Sequence, residues 1–200
     1  MRRPGESWLA ALAACALLAA CRADAPARAA ELSSSFEPIP DVELTTQDGR
    51  HVRFYDELVR DHVVVVQFFF VHCEGVCPIS TGKLVAMQAA LGERLGRDIR
   101  FLSITLDPER DTPAVLAEHA RAVGARPGWT FLTGAQDDIE VLRRRLGVFD
   151  IDPVIDADRD QHAGVLVFGN DAKQRWTMKP ATLDTRFLVA ALLRLAEPAR

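Results

Sequence analysis

The stretch Val63-Val-Val-Val-Gln-Phe-Phe-Phe-Val71-His-Cys73-Glu-Gly-Val-Cys77-Pro78 decides the fold. Residues 63–71 are almost all β-branched or aromatic, which is typical of a strand buried on both faces. Pro78 suits the first turn of a helix, where a missing N–H costs no hydrogen bond. The two cysteines therefore stand where a buried strand gives way to a helix. Two thiols four positions apart can close a disulfide or bind one metal ion.

Strand and helix patterns alternate along the rest of the chain. Before the opening stretch, residues 42–54 have the pattern of a β-hairpin that turns at Asp48-Gly49. The order β-α-β-α followed by β-β-α predicts an α/β, thioredoxin-like fold with an N-terminal β-hairpin and an inserted strand and helix before the last hairpin. After the opening stretch, strands are predicted at 99–106, 129–132, 163–168 and 175–178, and helices from Pro78 and at 113–123, 136–146 and 183–195.

The loop before the helix at Pro113 carries several charged residues. Asp111 or Thr112 is predicted to cap this helix, and Gly124 to end it. Arg110 and Asp111 are predicted to form an ion pair within the loop. The histidines at 51, 62 and 119 lie in strand-start or helix contexts, and we expect them on the surface without a functional role.

The amino terminus has a composition of its own. Arg2 and Arg3 precede an apolar run from Trp8 to Ala20 that is too short to span a bilayer comfortably. This pattern predicts a secretory signal at residues 1–20. The run ends in Leu18-Ala-Ala-Cys21, which resembles the lipobox of bacterial lipoproteins, so Cys21 is the expected lipidation site. A plain signal peptide cut near residues 23–30 and an uncleaved anchor are the alternatives. A flexible tether is predicted at 21–40 and one domain at 41–200.

The signal and the lipid leave few cysteines for the domain. Cys15 lies in the discarded segment and Cys21 carries the lipid, so Cys73 and Cys77 are the remaining thiols. In an oxidising compartment the default interpretation of such a pair is a structural disulfide. A loop of three intervening residues, however, constrains the unfolded chain only modestly. A metal site, a redox dithiol and a structural disulfide all remain open at this point.

Composition and charge exclude some function classes. The chain is 48% hydrophobic and 26% charged, as in ordinary soluble domains, and its formal net charge is −4 at pH 7. Without a basic segment, nucleic-acid binding is not expected. The alternating Asp156, Asp158 and Asp160 lack the glycine and glutamate of a calcium loop, since Gln161 and Val167 occupy those positions. They predict an exposed acidic loop that could dock a cationic partner.

The topology predicts where a site would form. Ligands of open α/β sheets collect beyond the carboxyl ends of the strands, where helix amino termini favour anions. We therefore expect lowered thiol pKa values at Cys73 and Cys77. His162 precedes the penultimate strand, in the loop that carries a cis-proline in thiol oxidoreductases of this fold. Two thiolates and one imidazole suit copper. His72 is not expected to be a ligand, because adjacent strand positions point to opposite faces.

The ordered motifs of the chain resemble the Sco/SenC family, copper chaperones associated with assembly of the dinuclear copper centre of cytochrome c oxidase. The resemblance covers about residues 40–195 and implies a membrane-tethered domain that binds one copper ion through Cys73, Cys77 and His162. Members commonly have proline where this chain has Glu74, and aspartate where it has Gln161. The motifs are Cys73-Glu-Gly-Val-Cys77-Pro78, Ser103-Ile-Thr-Leu-Asp107-Pro-Glu-Arg110-Asp111-Thr-Pro113, Trp129-Thr-Phe-Leu-Thr133-Gly134 and His162.

The expected function is therefore that of a copper metallochaperone. It would bind one Cu(I) or Cu(II) per chain and pass it to the copper-bearing subunit of cytochrome c oxidase or to another exported cuproprotein. The expected location is the bacterial cell envelope, as a monomeric lipoprotein facing the periplasm. A thiol-disulfide oxidoreductase that reduces the acceptor's cysteines, and a copper or redox sensor, are the alternatives.

Overall fold

The computed structural model describes residues 38–73, 75, 77–157 and 164–197. The predicted signal segment, the tether up to residue 37 with Cys21, and the segment 158–163 with His162 lie outside the described residues. Within the described residues, none of the helices has the length and apolar character needed to cross a bilayer.

In the described part of the chain, seven strands form a single mixed sheet in the order β2-β1-β5-β4-β3-β6-β7. The inner strands β3, β4 and β5 run parallel, whereas β6 and β7 pair antiparallel on one side and β1 and β2 on the other. The parallel pairing follows from the helices that connect these strands. Each helix carries the chain back to the edge of the sheet where the previous strand began, so the next strand runs in the same direction. The strands are β1 Glu43–Thr46, β2 His51–Arg53, β3 Val63–Phe69, β4 Ile99–Thr105, β5 Trp129–Gly134, β6 Val165–Asn170 and β7 Arg175–Pro180.

Helices cover both faces of the sheet. The apolar sides of α1, α2 and α5 pack on one face, and α3 packs on the other with the π-helical segment Phe54–Val59. Thr112 caps α2 by accepting a hydrogen bond from the N–H of Val115, and Gly124 follows that helix with a φ of +69°. The helices are α1 Cys77–Leu91, α2 Pro113–Ala122, α3 Gln136–Arg145, α4 Pro153–Ala157 and α5 Thr185–Ala196.

Strand β3 is the spine of both hydrophobic cores. All seven of its residues are buried, and Val65 and Phe69 belong to the core under α1 while Val64 and Phe68 belong to the core under α3. This alternation is the period of two that a strand imposes on its side chains. The buried run therefore specifies a strand with helices on both faces, and the predicted thioredoxin-like architecture is confirmed, including the hairpin and the inserted β5 and α3.

The predicted exposed acidic loop is wrong at its first residue, Asp156, whereas Asp158 and Asp160 lie outside the described residues. Asp156 is buried, and its carboxylate accepts hydrogen bonds from the guanidinium of Arg143 at 2.6 and 2.7 Å and from Arg144 at 2.9 Å. The N–H of Asp150 donates to the same carboxylate at 2.9 Å. The short helix α4, which the sequence did not predict, positions Asp156 against α3. The buried Arg143 thus stabilises the carboxylate of Asp156, which the sequence pattern predicted to be exposed to solvent.

Replacing Asp156 by asparagine should destabilise the fold by about 2 kcal/mol, because the buried Arg143 would lose one of its two carboxylate partners and keep only the partly exposed Glu140. Hydrogen bonding to Arg143 holds the pKa of Asp156 below its usual range. Its contribution is therefore present above the unfolded pKa of about 3.9 and is lost as the pH falls toward the native value. The free energy of unfolding, measured with urea, should fall more steeply below pH 4 for the wild type than for Asp156→Asn.

The control is Asp98→Asn, which removes one partner of the more exposed Arg94–Asp98 pair. Such a pair contributes less than about 1 kcal/mol. Equal destabilisation by the two substitutions would contradict the assigned role of the buried pair.

Candidate metal centre

Cys73 and Cys77 lie together at the carboxyl end of β3. Cys73 belongs to the loop that follows the strand, and Cys77 is the first residue of α1. Both side chains are buried and both thiols are free. The two thiols are hydrogen-bonded to each other. The strand-to-helix junction predicted from the sequence thus brings two soft donors together.

A buried glutamine fixes the helix that carries Cys77. The side-chain amide of Gln67 in β3 donates hydrogen bonds to the hydroxyls of Ser80 at 2.8 Å and Thr81 at 3.0 Å, both in the first turns of α1. Ser80 in turn donates to the carbonyl of Cys77 at 3.1 Å. On the other side, the carbonyl oxygen of Gln67 accepts from Ser103 of β4 at 2.8 Å. The amino terminus of α1 is therefore bonded to the central sheet.

Asp111 fixes the chain on the other side of the site. This buried carboxylate accepts a hydrogen bond from the N–H of Val71 at 3.0 Å and another from the hydroxyl of Thr105. The predicted ion pair between Arg110 and Asp111 is wrong, because Arg110 approaches Asp107 instead, at 3.9 Å. The Asp111 side chain is therefore buried, and its bond to Val71 anchors the loop that leads into Cys73.

The pKa of Cys77 is raised, whereas its place at a helix amino terminus predicted a lowered pKa. Burial is the largest influence on this thiol and raises its pKa to about 12, and the hydrogen bond that the Cys77 S–H donates to Cys73 acts in the same direction. The N–H groups of Phe70 and of Cys77 itself act weakly against this rise. Desolvation disfavours the charged thiolate more than the helix terminus favours it. In the metal-free protein, Cys77 is a neutral thiol near pH 7.

A pocket of about 340 Å³ opens beside the two cysteines. Its lining is mostly apolar and includes Phe69, Val85 and His119. The imidazole of His119 stacks on Phe69 with ring centroids 5.5 Å apart and meets Phe131 edge-on at 5.6 Å. Burial lowers the pKa of His119. His119 therefore belongs to the wall of the site as a neutral aromatic ring, which its helical context did not predict.

The described residues supply two of the three predicted ligands. Cys73 and Cys77 are together, whereas the predicted third ligand, His162, and the departures Glu74 and Gln161 lie outside the described residues. Within the described ranges, no three His, Cys, Asp or Glu side chains converge closely enough to hold a metal ion, so His119 does not complete a set with the thiols. His72 is exposed beside the buried Cys73. Two buried sulfur donors fit a soft ion such as Cu(I).

Comparison with known proteins gives a consistent result. The sequence profile of the SCO1/SenC family matches residues 30–197. The SCO1 protein homolog of Bacillus subtilis is 35% identical over 97 residues, which cover 47% of this chain and 48% of that protein. The chain thus spans about half the length of this relative.

Solved structures share the fold. A SCO1/SenC family lipoprotein from Bacillus anthracis superposes with a TM-score of 0.64 at 23% identity, covering 78% of this chain and 93% of that one. Arabidopsis thaliana ScoI, whose crystal structure has copper bound, superposes with a TM-score of 0.61 at 23% identity, covering 78% and 97%. At this identity the superpositions establish the architecture.

Alkylation of Cys77 in the reduced, metal-free protein should be slow at neutral pH. Because its pKa is raised to about 12, the reactive thiolate should become more abundant across the whole range from pH 7 to 10. Iodoacetamide labelling followed by peptide mass spectrometry should show a rate at Cys77 that still climbs at pH 10. A rate that reaches a plateau by pH 8 would contradict the dominance of burial.

Replacing Gln67 by leucine should destabilise the fold by about 2 kcal/mol, because buried hydroxyls lose their partners. It should also speed Cys77 alkylation, since the first turn of α1 would no longer be bonded to β3. Gln88→Leu is the matched control: this buried amide lies further along α1 and bonds the backbone of Gly124 and Arg126. Both variants should lose stability by chemical denaturation. Equal alkylation rates in the two would show that Gln67 does not position Cys77.

Proposed function

Because the chain belongs to the SCO1/SenC family, we propose that it is a copper metallochaperone that holds one copper ion at Cys73, Cys77 and His162. The observation that carries the proposal is the pair of buried, free thiols placed side by side where β3 meets α1. Sulfur donors select copper over hard cations, and an imidazole nitrogen is compatible with either copper oxidation state. The copper bound by Arabidopsis ScoI, a protein of the same fold, supports this choice of metal.

Copper is the cargo of this site, and the protonation of the protein's own ligands controls its uptake and release. Cys77 binds as a thiolate, so the proton that burial holds on its sulfur must leave when the metal arrives. Release to an acceptor is the reverse exchange, in which the acceptor's ligands replace the two sulfurs and the imidazole, and Cys77 regains its proton. The bonds from Gln67 and Asp111 keep the strand end and the helix in place during this exchange.

The proposal includes a place in the cell and an acceptor. The run that ends at Cys21 supports export and lipidation, with residues 1–20 as signal, 21–40 as tether and 41–200 as the folded domain on the periplasmic side of a bacterial membrane. The acceptor that fits the family is the copper-bearing subunit of cytochrome c oxidase. The domain would act as a monomer, and the tether would give it reach toward membrane-bound partners.

A thiol-disulfide oxidoreductase is the second candidate, favoured by the hydrogen bond between the two thiols. In that reaction Cys73 and Cys77 form a disulfide and give up two protons and two electrons, and a disulfide of the acceptor takes them up to become two thiols. This activity would prepare the acceptor's cysteines for copper. It uses the same two sulfurs, so it excludes bound copper while the disulfide persists.

Copper titration of the reduced protein tests the proposal. The wild type should bind one copper per chain, and the Cu(II) form should show intense sulfur-to-copper charge-transfer absorption. The double variant Cys73→Ser, Cys77→Ser should lose both. His162→Ala should weaken binding at least tenfold in competition with a copper chelator, and the control His72→Ala should bind like the wild type.

Two results would decide against the three-ligand site. Unchanged affinity and spectrum in His162→Ala would remove the histidine from the ligand set. Copper binding by the double cysteine variant equal to that of the wild type would remove the thiols as well, and reduction of an acceptor disulfide would then be the activity to measure.

A further inference from the structure

The segment between α3 and the end of α4 exposes an unusual amount of apolar surface. Ile151 is 93% exposed, Val154 is 78% exposed, and Phe149 and Ile155 are 47% and 44% exposed. We call these four residues the apolar knuckle. Isolated exposed apolar side chains are common, whereas several on one short segment are typical of an interaction site in soluble proteins.

The knuckle is held in place by hydrogen bonds. The N–H of Asp152 donates to the carboxylate of Asp150 at 2.8 Å, and the N–H of Val154 donates to the carboxylate of Asp152 at 2.9 Å. The N–H of Asp150 donates to Asp156, which the buried Arg143 holds against α3. The apolar side chains are thus presented by a chain whose backbone is bonded to the core. A partner would meet an ordered surface, with little ordering entropy left to lose.

Neighbouring elements extend this surface. The guanidinium of Arg144 lies 5.8 Å from the centroid of the Phe149 ring. Met178 of β7, itself half-exposed, places its side chain beside Gly147, just before the knuckle. The surface therefore lies on the face of the sheet that α3 covers, and α5 occupies the opposite face.

The charge around the knuckle narrows the choice of partner. Asp150 and Asp152 are exposed and flank Ile151 on both sides. Their carboxylates would repel the anionic headgroups of a bacterial membrane. A symmetric contact between two copies through the knuckle would bring four carboxylates into one interface, two from each copy. A protein surface with an apolar depression and a rim of lysine or arginine is complementary to both features.

The knuckle also lies close to the proposed metal ligands along the chain. His162 follows Ile155 by seven residues, and a fully extended chain of that length reaches at most about 25 Å. A protein docked on the knuckle would therefore be held within that distance of the histidine. Such proximity raises the effective concentration of the acceptor's ligands at the copper ion.

We propose that the apolar knuckle is the docking surface for the copper acceptor, a protein domain with an apolar pocket rimmed by basic side chains. The proposal rests on the proposed function, because the acceptor is the one named there. Apolar contact with Ile151 and Val154 supplies affinity, and Asp150 and Asp152 steer the basic rim and fix the orientation.

The test measures binding of the soluble copper-bearing domain of the oxidase subunit to the full chain by isothermal titration calorimetry. The first variant, Ile151→Ser with Val154→Ser, should weaken binding at least tenfold. The second, Asp150→Asn with Asp152→Asn, keeps the oxygens that bond the turn but removes both charges. It should weaken binding severalfold and flatten its dependence on salt. Phe187→Ser is the control, since Phe187 is 49% exposed on α5 at the opposite face.

Copper affinity of each variant, measured by chelator competition, separates this proposal from the proposed function. The expected result is acceptor binding lost in the knuckle variants with copper affinity unchanged. Acceptor binding within twofold of the wild type in both knuckle variants would overturn the docking proposal and leave the copper site standing. The docking proposal would also be overturned if the substitutions changed self-association or binding to anionic vesicles and left acceptor binding unchanged. If the wild type binds the acceptor through the knuckle but takes up no copper, the proposed metallochaperone function is contradicted and the docking surface is not.

Discussion

The amide of Gln67 is the interaction on which the site depends. A glutamine in the middle of a fully buried strand would cost several kcal/mol if its amide were unpaired. Here its nitrogen is bonded to two hydroxyls of α1 and its oxygen to a hydroxyl of β4. The polar network therefore couples the helix that carries Cys77 to two strands of the sheet, and the indole N–H of Trp129 extends it to a third. Apolar packing alone would allow α1 to slide on the sheet, whereas these directional bonds set its register.

The same rigidity and burial explain the chemistry of the thiols. Desolvation keeps Cys77 protonated although it lies at a helix amino terminus, so the metal-free site holds a neutral, buried thiol at this position. This thiol is protected from alkylation and oxidation until a metal ion supplies the positive charge that the buried thiolate needs. The apolar pocket with His119 in its wall maintains this low-polarity environment next to the sulfurs.

Local patterns in the sequence predicted the architecture, and contacts distant along the chain determined what they missed. The β-branched run at 63–71, Pro78 and the glycines after α2 and α3 each report the conformation of their own neighbourhood, so the element order followed. The partners of Gln67 lie 13 to 36 positions away, and Asp111 bonds a residue 40 positions away. Asp156 appeared to belong to an acidic loop because nothing nearby in the sequence indicates that Arg143 is buried beside it. The lowered pKa predicted for Cys77 was wrong for the same reason, since burial depends on the whole fold.

The central claim is that Cys73 and Cys77 together hold one copper ion. X-ray absorption at the copper edge of the protein loaded with one equivalent of Cu(I) tests it most directly, because the fine structure counts the sulfur atoms bound to the metal. Two sulfur ligands and one lighter ligand are expected in the wild type, and one fewer sulfur in Cys73→Ser. A spectrum with no sulfur ligand, or one that is unchanged in Cys73→Ser, would contradict it.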